Sequence, residues 1–296
     1  RDAQESRGLG DVYKRQNLTV EWFLRRHGYS RHIITGLKRT EDGIFRNGVR
    51  AWTSQAVHAG DVIETHLVET EPSDGILPRP VPFSVVYEDD DILVVDKPAD
   101  TPIHPSIGNY ENTLANGIAW YFEQKGEPFV YRCINRLDRD TTGLIVLAKH
   151  ALSAAVLSQA MRSREIHRTY QAFALGETAA SGTIDAPIAR LDGSLIQRTV
   201  DFASGERSVT HYRTLAHCSV FSHLELNLET GRTHQIRVHM AYIGHPLLGD
   251  TLYNKTPGTF PRQALHSASL SFVHPITGEP LNFHAPLPED MQNLLT

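Results

Sequence analysis

The sequence predicts an α+β fold, in which a large domain with a mixed, mainly antiparallel sheet follows a small α+β module. Two observations lead to this prediction. Apolar, strand-like segments succeed one another with few helices between them, which disfavours a doubly wound parallel sheet. A proline-rich stretch separates these segments from a short basic region that begins with two helical patterns. We therefore expect four segments, at residues 1–16, 17–68, 69–82 and 83–296.

The first segment is expected to lie outside the fold. The letters DVYKRQ at residues 11–16 are what the end of a transposon-derived sequencing adapter encodes in one reading frame. We interpret residues 1–16 as an assembly artefact and expect them to be disordered.

The second segment has the pattern of a small basic module. Val20, Phe23 and Leu24 have helical spacing, and Ser30 is the expected cap of a second helix. Asn47-Gly48 predicts a hairpin, and a further strand is expected at residues 60–65. The apolar face of the second helix is expected to consist of Ile33, Ile34 and Leu37.

Basic residues are concentrated in this module. Residues 17–50 hold seven basic side chains and three acidic ones, although the whole chain has a formal charge of −5. Phosphates are attracted over a Debye length of ~8–10 Å, so a local excess of this kind suits RNA binding. A solvated basic face without a ligand is the alternative. The candidate RNA-binding residues are Arg25, Arg31, Lys38 and Arg46.

The large domain is predicted as an ordered series of elements. It contains candidate strands at 85–87, 92–95, 144–148, 168–175 and 224–228, and candidate helices at 113–122, at 151–164 and after a cap at Thr233. In the helix at 151–164, we expect Leu152, Val156 and Met161 to point inward.

Composition excludes several classes of protein. The chain is 40% hydrophobic and 21% charged, as in ordinary globular proteins. No apolar run reaches the roughly 18 residues that a membrane helix needs. Cys133 and Cys218 lack the spacing of a metal or redox motif, which suits a reducing cytosol, so we expect a cytoplasmic protein.

The polar run at residues 135–143, directly before the apolar strand at 144–148, is the candidate site of chemistry. Asp138 and Asp140 fit the Asp-x-Asp-x-Thr pattern of magnesium-dependent phosphotransferases, but those enzymes present it after a fully apolar strand, and residues 131–136 are polar. Cys133 is an alternative nucleophile. The spacings of His234, His239 and His245 match no zinc pattern, so we expect no metal.

Several motifs, in the order expected for one family, resemble the RluA-type pseudouridine synthases. The resemblance covers roughly residues 83–296, and residues 17–68 look like a degenerate form of a small RNA-binding domain first seen in a ribosomal protein. The motifs are YED at 87–89, VVDKP at 94–98, HPS at 104–106, RLDRDTTG at 136–143, RTY at 168–170, TGRTHQIR at 230–237 and LHSASLSF at 265–272.

The resemblance implies isomerisation of uridine to pseudouridine in RNA, without metal or cofactor. It makes Asp138 the essential carboxylate, which could attack the sugar, add to the base or take a ribose proton. Arg232 is the implied cationic partner of Asp138, with a plain surface arginine as the alternative. Tyr170 is implied to stack on the target base and to act in the late deprotonation, with a plain core tyrosine on the strand as the alternative.

Two further residues have implied roles around the flipped base. Arg136 is the candidate for filling the stack that the base vacates, or else forms a local salt bridge with Asp140. Leu265 is expected to line the base pocket, or to be plain core. The chain departs from the family's usual residues at Asp96, Asp100 and Asn135.

The expected partner is RNA, most simply large-subunit ribosomal RNA because of the N-terminal module, with tRNA as the alternative. The resemblance suggests a monomer. A catalytically idle RNA-binding protein of the same fold is the competing function.

Overall fold

The computed structural model describes residues 2–5, 18–67 and 73–295. The fold is α+β, as predicted. The helices are α1 (Val20–Arg26), α2 (Arg31–Arg39), α3 (Leu114–Lys125), α4 (Ala151–Ser163), α5 (Gln235–Tyr242) and α6 (Glu289–Gln292). The strands are β1 (Asp2–Glu5), β2 (Ile44–Arg46), β3 (Val49–Arg50), β4 (Val62–Thr65), β5 (Ser84–Glu88), β6 (Ile92–Lys97), β7 (Thr142–Ala148), β8 (His167–Leu175), β9 (Ser181–Asp185), β10 (Ile188–Arg190), β11 (Arg198–Val200), β12 (Val209–His217), β13 (Phe221–Leu228), β14 (Leu265–Val273) and β15 (Pro280–His284).

Nine strands form the large sheet. Eight of them follow the order β5-β6-β7-β14-β8-β13-β12-β9, and β15 pairs with β14. The pairing of β7 with β14 is parallel, and the other pairings of the sheet are antiparallel. The prediction of a mixed, mainly antiparallel sheet is therefore confirmed.

Strand β7 is buried on both faces, which explains its unbroken apolar sequence. Ile145 and Leu147 pack into a core that includes α3, whereas Leu144 and Val146 pack on the opposite face, where Leu157 of α4 lies. A strand covered on both sides gains from apolar residues at every position rather than at alternate ones.

The start of β7 depends on Gly143. Its φ of 111° lies in the region that glycine favours. A Cβ atom there would lie 2.3 Å from the carbonyl oxygen of Ser267 on β14. This close approach fixes where the polar run at 135–141 enters the sheet.

The N-terminal module has the predicted helices and hairpin. The Ser30 side chain caps α2 by accepting a hydrogen bond from the Ile33 N–H, and Asn47 and Gly48 make the turn between β2 and β3 with positive φ. Its sheet has the order β1-β4-β2-β3.

One expectation about the N-terminus was wrong. Asp2–Glu5, within the segment expected to be disordered, form β1 and pair with β4. Without β1, β4 would be an edge strand, and its unpaired backbone groups can bind an extended chain. The remainder of residues 1–16 lies outside the described residues.

The module rests against α4. Leu152 belongs to the module's apolar core, with Ala155 and Val156 packed at its margin. A Cβ atom on Gly28 would lie 2.4 Å from a methyl group of Val156. Val156 therefore faces the module, whereas Leu157 is fully buried against the large sheet.

The predicted linker at 69–82 is described only from residue 73 onward, where no helix or strand is found before β5. Within the described ranges, none of the helices combines the length and apolar character that crossing a bilayer would need.

Candidate active site

Two buried basic side chains, Lys97 and Arg262, donate hydrogen bonds to backbone carbonyl oxygens of the polar run at 135–141. The Lys97 ammonium is fully buried and donates to the carbonyl oxygens of Pro98 and Arg139. The Arg262 guanidinium donates to the carbonyl oxygen of Asp140. Burial lowers the pKa of Lys97 to about 7, although nearby Asp140 and Asp138 oppose this shift. The loop backbone is thus fixed by side chains from distant strands and turns.

Asn135 ties the same run to β7. Its amide donates to the carbonyl oxygen of Leu144 and accepts from the N–H of Val146, so both ends of a buried side chain are paired. An asparagine meets this need because it carries a donor and an acceptor. The departure from the family's usual residue at this position therefore leaves the loop with a well-anchored start.

The five side chains that the sequence singled out in the large domain line one small cavity of about 60 Å³. The cavity opens beside a groove of about 670 Å³, and the two share several lining residues. The cavity residues from the sequence analysis are Arg136, Asp138, Tyr170, Arg232 and Leu265.

Arg237 is the cation that contacts Asp138. Its Nη1 donates to Asp138 Oδ2 at 2.9 Å, and its Nε and Nη2 donate to the two oxygens of Asp250 at 2.7 and 2.9 Å. Asp250 is fully buried, and Arg237 is only 7% exposed. These two carboxylates hold the guanidinium between them and raise its pKa, against the effect of burial.

The expectation that Arg232 would be this partner was wrong. Arg232 forms an ion pair with Glu206 at 2.5 Å, at the surface. It precedes α5, whereas Arg237 lies within the first turn of that helix and points inward. A buried arginine must be paired, and it is the burial of Arg237 in the folded chain that distinguishes it from Arg232.

The start of α5 also differs from the prediction. The helix begins at Gln235 with His234 at the N-cap in the left-handed conformation, and Thr233 does not cap it. The Gln235 side chain stabilises the turn before the helix instead, since its oxygen accepts hydrogen bonds from Thr230 Oγ1 and from the Arg232 N–H. Its amide donates to Val209 and Thr210, which anchors the turn to β12.

His234 stands beside Asp138. Its Nε2 lies 3.9 Å from Asp138 Oδ2, and its Nδ1 lies 2.8 Å from the hydroxyl oxygen of Tyr253. Burial lowers the pKa of His234, and the negative charge of Asp138 opposes this effect. A neutral imidazole here leaves Arg237 as the cation in contact with the carboxylate.

Tyr170 and Leu265 form the apolar wall of the cavity. Each is 4% exposed, and the two lie on the neighbouring strands β8 and β14. Within the described part of the chain, the Tyr170 hydroxyl has no hydrogen-bond partner, yet it is not among the fully buried unpaired atoms, so it is open to the cavity.

Arg136 is exposed at the cavity mouth. The alternative of a salt bridge with Asp140 is not observed, because Arg139 binds that carboxylate instead, at 3.0 Å. Among the described residues, no hydrogen bond or ion pair holds the Arg136 guanidinium, so it is free to contact a ligand in the groove.

The candidate residues of the module differ in how free they are. Arg46 donates to the carbonyl oxygen of Ala56 and lies 3.4 Å from Asp61, so it serves the fold of the module. Arg25 forms a surface pair with Glu21. The side chains of Arg31 and Lys38 are exposed and have no hydrogen bond or ion pair to any described residue.

Two other groups with possible chemistry are accounted for by their surroundings. Burial raises the pKa of the Cys133 thiol to about 12, and its sulfur donates to the carbonyl oxygen of Asn135, which argues against a nucleophile. Away from the cavity, Asp89, Asp91 and His274 cluster closely enough to hold a metal ion. However, His274 Nδ1 accepts two backbone N–H groups, so Nε2 carries the proton and donates to Asp89.

Comparison with known proteins identifies the family of the chain. Residues 91–242 match the RNA pseudouridylate synthase family. The chain belongs to this family. An uncharacterized RNA pseudouridine synthase of Bacillus subtilis, YjbO, is 39% identical over 279 residues, which are 94% of this chain and 98% of the relative. The Ribosomal large subunit pseudouridine synthase D of Vibrio cholerae is 43% identical over 79% of this chain and 76% of its own.

Solved structures show the same fold. Human RNA Pseudouridylate Synthase Domain Containing 1 is 26% identical, with a TM-score of 0.59 over 73% of this chain and 86% of that one. The chain is thus an RNA pseudouridine synthase, an isomerase that acts on RNA. Neither the phosphotransferase interpretation nor that of an idle RNA-binding protein is favoured.

Proposed function

We propose that this enzyme isomerises a uridine of large-subunit ribosomal RNA, with Asp138 as the reacting carboxylate. The N1–C1′ bond of the nucleotide breaks, the uracil turns, and a C5–C1′ bond forms. C5 then loses its proton and N1 gains one, so atoms and charge balance without a cofactor. Support for the choice of RNA comes from relatives named as ribosomal large subunit pseudouridine synthases.

The observation that carries the role of Asp138 is the unequal state of its two oxygens. Oδ2 accepts from Arg237, whereas Oδ1 has no hydrogen bond to any described residue. The side chain is 25% exposed and lines the cavity. Arg237 orients the carboxylate and stabilises its negative charge, and Oδ1 is left to react with the nucleotide.

Tyr170 and Leu265 would hold the uracil. The ring of Tyr170 offers a face for stacking, and its open hydroxyl is placed to assist removal of the C5 proton. Leu265 supplies an apolar surface beside it. A uracil base has two flat faces, which suit the apolar wall of the cavity, while the charged mouth suits the rest of the nucleotide.

The target base must leave its stack to enter this cavity, at a cost of a few kcal/mol. Arg136 is exposed, unpaired and at the mouth, so its planar guanidinium can replace the base in the stack. Arg232 lines the same cavity and is proposed as an RNA contact rather than as the partner of Asp138.

The RNA path would continue to the N-terminal module, which we propose as residues 17–68. A groove of about 1180 Å³ runs between α4 and this module, and Arg25, Arg132 and Arg162 are among the basic residues that line it. Arg162 also lines the groove beside the cavity. The free cations Arg31 and Lys38 lie on α2, the second helix of the module. A cytosolic location suits the free thiols of Cys133 and Cys218.

Tritium release tests the reaction. RNA labelled with tritium at C5 of uracil is incubated with the wild type, Asp138→Asn and Asp140→Asn. We expect the wild type to release tritium from large-subunit rRNA and Asp138→Asn to release none. Asp140→Asn is the matched control, because Asp140 lies in the same loop but binds Arg139, and it should retain most of the activity. If Asp138→Asn releases tritium as the wild type does, Asp138 is not the reacting carboxylate.

The choice of RNA is tested by comparing labelled rRNA and tRNA transcripts. Neutralising Arg31 and Lys38 together, as Gln, should weaken rRNA binding without lowering the rate at saturating RNA. Release from tRNA alone, or rRNA affinity that the double variant leaves unchanged, would contradict the proposed substrate or the proposed part of the module.

A further inference from the structure

The Arg168 guanidinium lies in the groove beside the cavity without an anion from the protein. Among the buried side-chain nitrogen and oxygen atoms of the described residues, the Nε of Arg168 is the one without a hydrogen-bond partner. No ion pair to Arg168 is present among those residues. A buried guanidinium nitrogen without a partner is costly, so its partner is expected to come from outside the chain.

The neighbouring turn is shaped around this side chain. A Cβ atom on Gly231 would lie 3.2 Å from Arg168 Nη2 and 3.4 Å from Nη1. The backbone of Gly231 does not have the positive φ that would call for glycine. A side chain at 231 would therefore require the Arg168 guanidinium to shift by a few tenths of an ångström.

The rest of the groove favours an anion. It is lined by five arginines, Arg136, Arg162, Arg164, Arg168 and Arg232, and by the two acids Asp138 and Glu229. Asp138 is paired with Arg237, and Glu229 is paired with Arg207 and His211 and lies 3.6 Å from Arg164. Arg232 is paired with Glu206, so Arg136, Arg162 and Arg168 are the groove arginines without an ion pair to a described residue. The groove thus keeps an excess of positive charge next to the cavity.

We propose that Arg168 binds a backbone phosphate of the RNA strand that enters the cavity. This inference rests on the proposed function, since it assumes RNA in the groove. The spacing along β8 supports this proposal. Arg168 precedes Tyr170 by two residues, so its side chain lies on the same face of the sheet as the tyrosine that lines the cavity. A phosphate held there would position the nucleotide chain while the base occupies the cavity.

Equilibrium binding of a synthetic RNA hairpin with an oligouridine loop tests this phosphate contact. Arg168→Met should weaken binding about tenfold, the loss of one charge-assisted contact, and reduce the salt slope by about one phosphate. Arg168→Lys should keep the slope. Arg213→Met is the control, because Arg213 on β12 pairs with Glu225 on β13 and does not line the groove.

A neutral methylphosphonate placed at one linkage after another identifies the phosphate. The wild type should lose affinity at a linkage where Arg168→Met loses nothing further, while both remain sensitive at other positions. If Arg168→Met lowers the melting temperature but leaves the salt slope and the methylphosphonate pattern unchanged, Arg168 only supports the turn at Gly231, and the proposal is wrong. Wild-type tritium release from rRNA is measured in parallel, so failure of the proposed reaction would be seen separately.

Discussion

Replacing Arg237 by methionine separates its effect on stability from its effect on catalysis. The change leaves the fully buried Asp250 without a cation, and breaking a buried pair in this way costs about 3–5 kcal/mol. For a chain of this size, ~2 °C per kcal/mol corresponds to a fall of roughly 6–10 °C in melting temperature. Asp138 also loses its charge-assisted hydrogen bond, worth ~1.5–3 kcal/mol, so kcat should fall by about 10- to 100-fold.

The second variant, Arg237→Met with Asp250→Asn, removes the uncompensated charge. An asparagine at 250 can still accept from the N–H groups of Leu252 and Tyr253, but its buried NH2 group gains no acceptor from the apolar side chain that replaces Arg237, so stability should return to within ~1–3 kcal/mol of the wild type. Activity should remain low, because Asp138 still lacks its cation.

Melting curves and single-turnover tritium release measure the two effects. Arg232→Met is the comparison: its ion pair with Glu206 is exposed, so we expect little change in melting temperature and a much smaller loss of kcat than for Arg237→Met. The reasoning is refuted if the double variant regains activity together with stability, or if Arg232→Met loses as much kcat as Arg237→Met.

Three further predictions concern single residues. Arg164 ends α4 in the left-handed conformation, so Arg164→Gly should remove ~1–2 kcal/mol of backbone strain, of which the entropy of glycine offsets ~0.5–1 kcal/mol. The variant should therefore be no less stable than the wild type, yet bind RNA more weakly because Arg164 lines the groove. A loss of stability measured by calorimetry would contradict this prediction. The pKa of Lys97 is about 7 in the folded chain and 10.5 for an unperturbed lysine, so the unfolded chain binds more protons between these pH values. In urea unfolding, the free energy of unfolding of the wild type should therefore rise, relative to Lys97→Met, by up to ~1.4 kcal/mol per pH unit from pH 7 to 10. Parallel pH curves for the two proteins would contradict this prediction. Gly143→Ala should cost at least ~2 kcal/mol and most of the activity, because the new methyl group meets the backbone of Ser267; a normal melting temperature would show that β7 and β14 can separate there.

The sequence predicted those features of the fold that depend on neighbouring residues. The cap at Ser30 and the turn at Asn47-Gly48 are local patterns with a direct physical cause. The cap at Thr233 failed because Gln235 forms tertiary hydrogen bonds to β12, which no local pattern reveals. Docking of the module on Val156 was missed for the same reason.

The candidate site divides along the same line. The resemblance brought Asp138, Tyr170 and Leu265 to one cavity, but it named the wrong arginine. Arg237 is 99 positions from Asp138 in the chain, and its pairing with Asp250 depends on how α5 packs. Only the buried position of an arginine in α5 distinguishes it from Arg232, and burial is a property of the folded chain.

The formal charge of −5 says little about RNA binding in this protein, because its arginines fall into two classes. Arg237 and Arg262 are buried and neutralised by Asp250 and Asp290, so they add little to the field outside. Arg136 and Arg168 have no acidic partner among the described residues and face the groove. We therefore expect attraction for RNA to come from cations that the fold leaves unpaired, and neutralising either should reduce the salt dependence of binding by about one phosphate. Removing a buried pair should reduce stability instead.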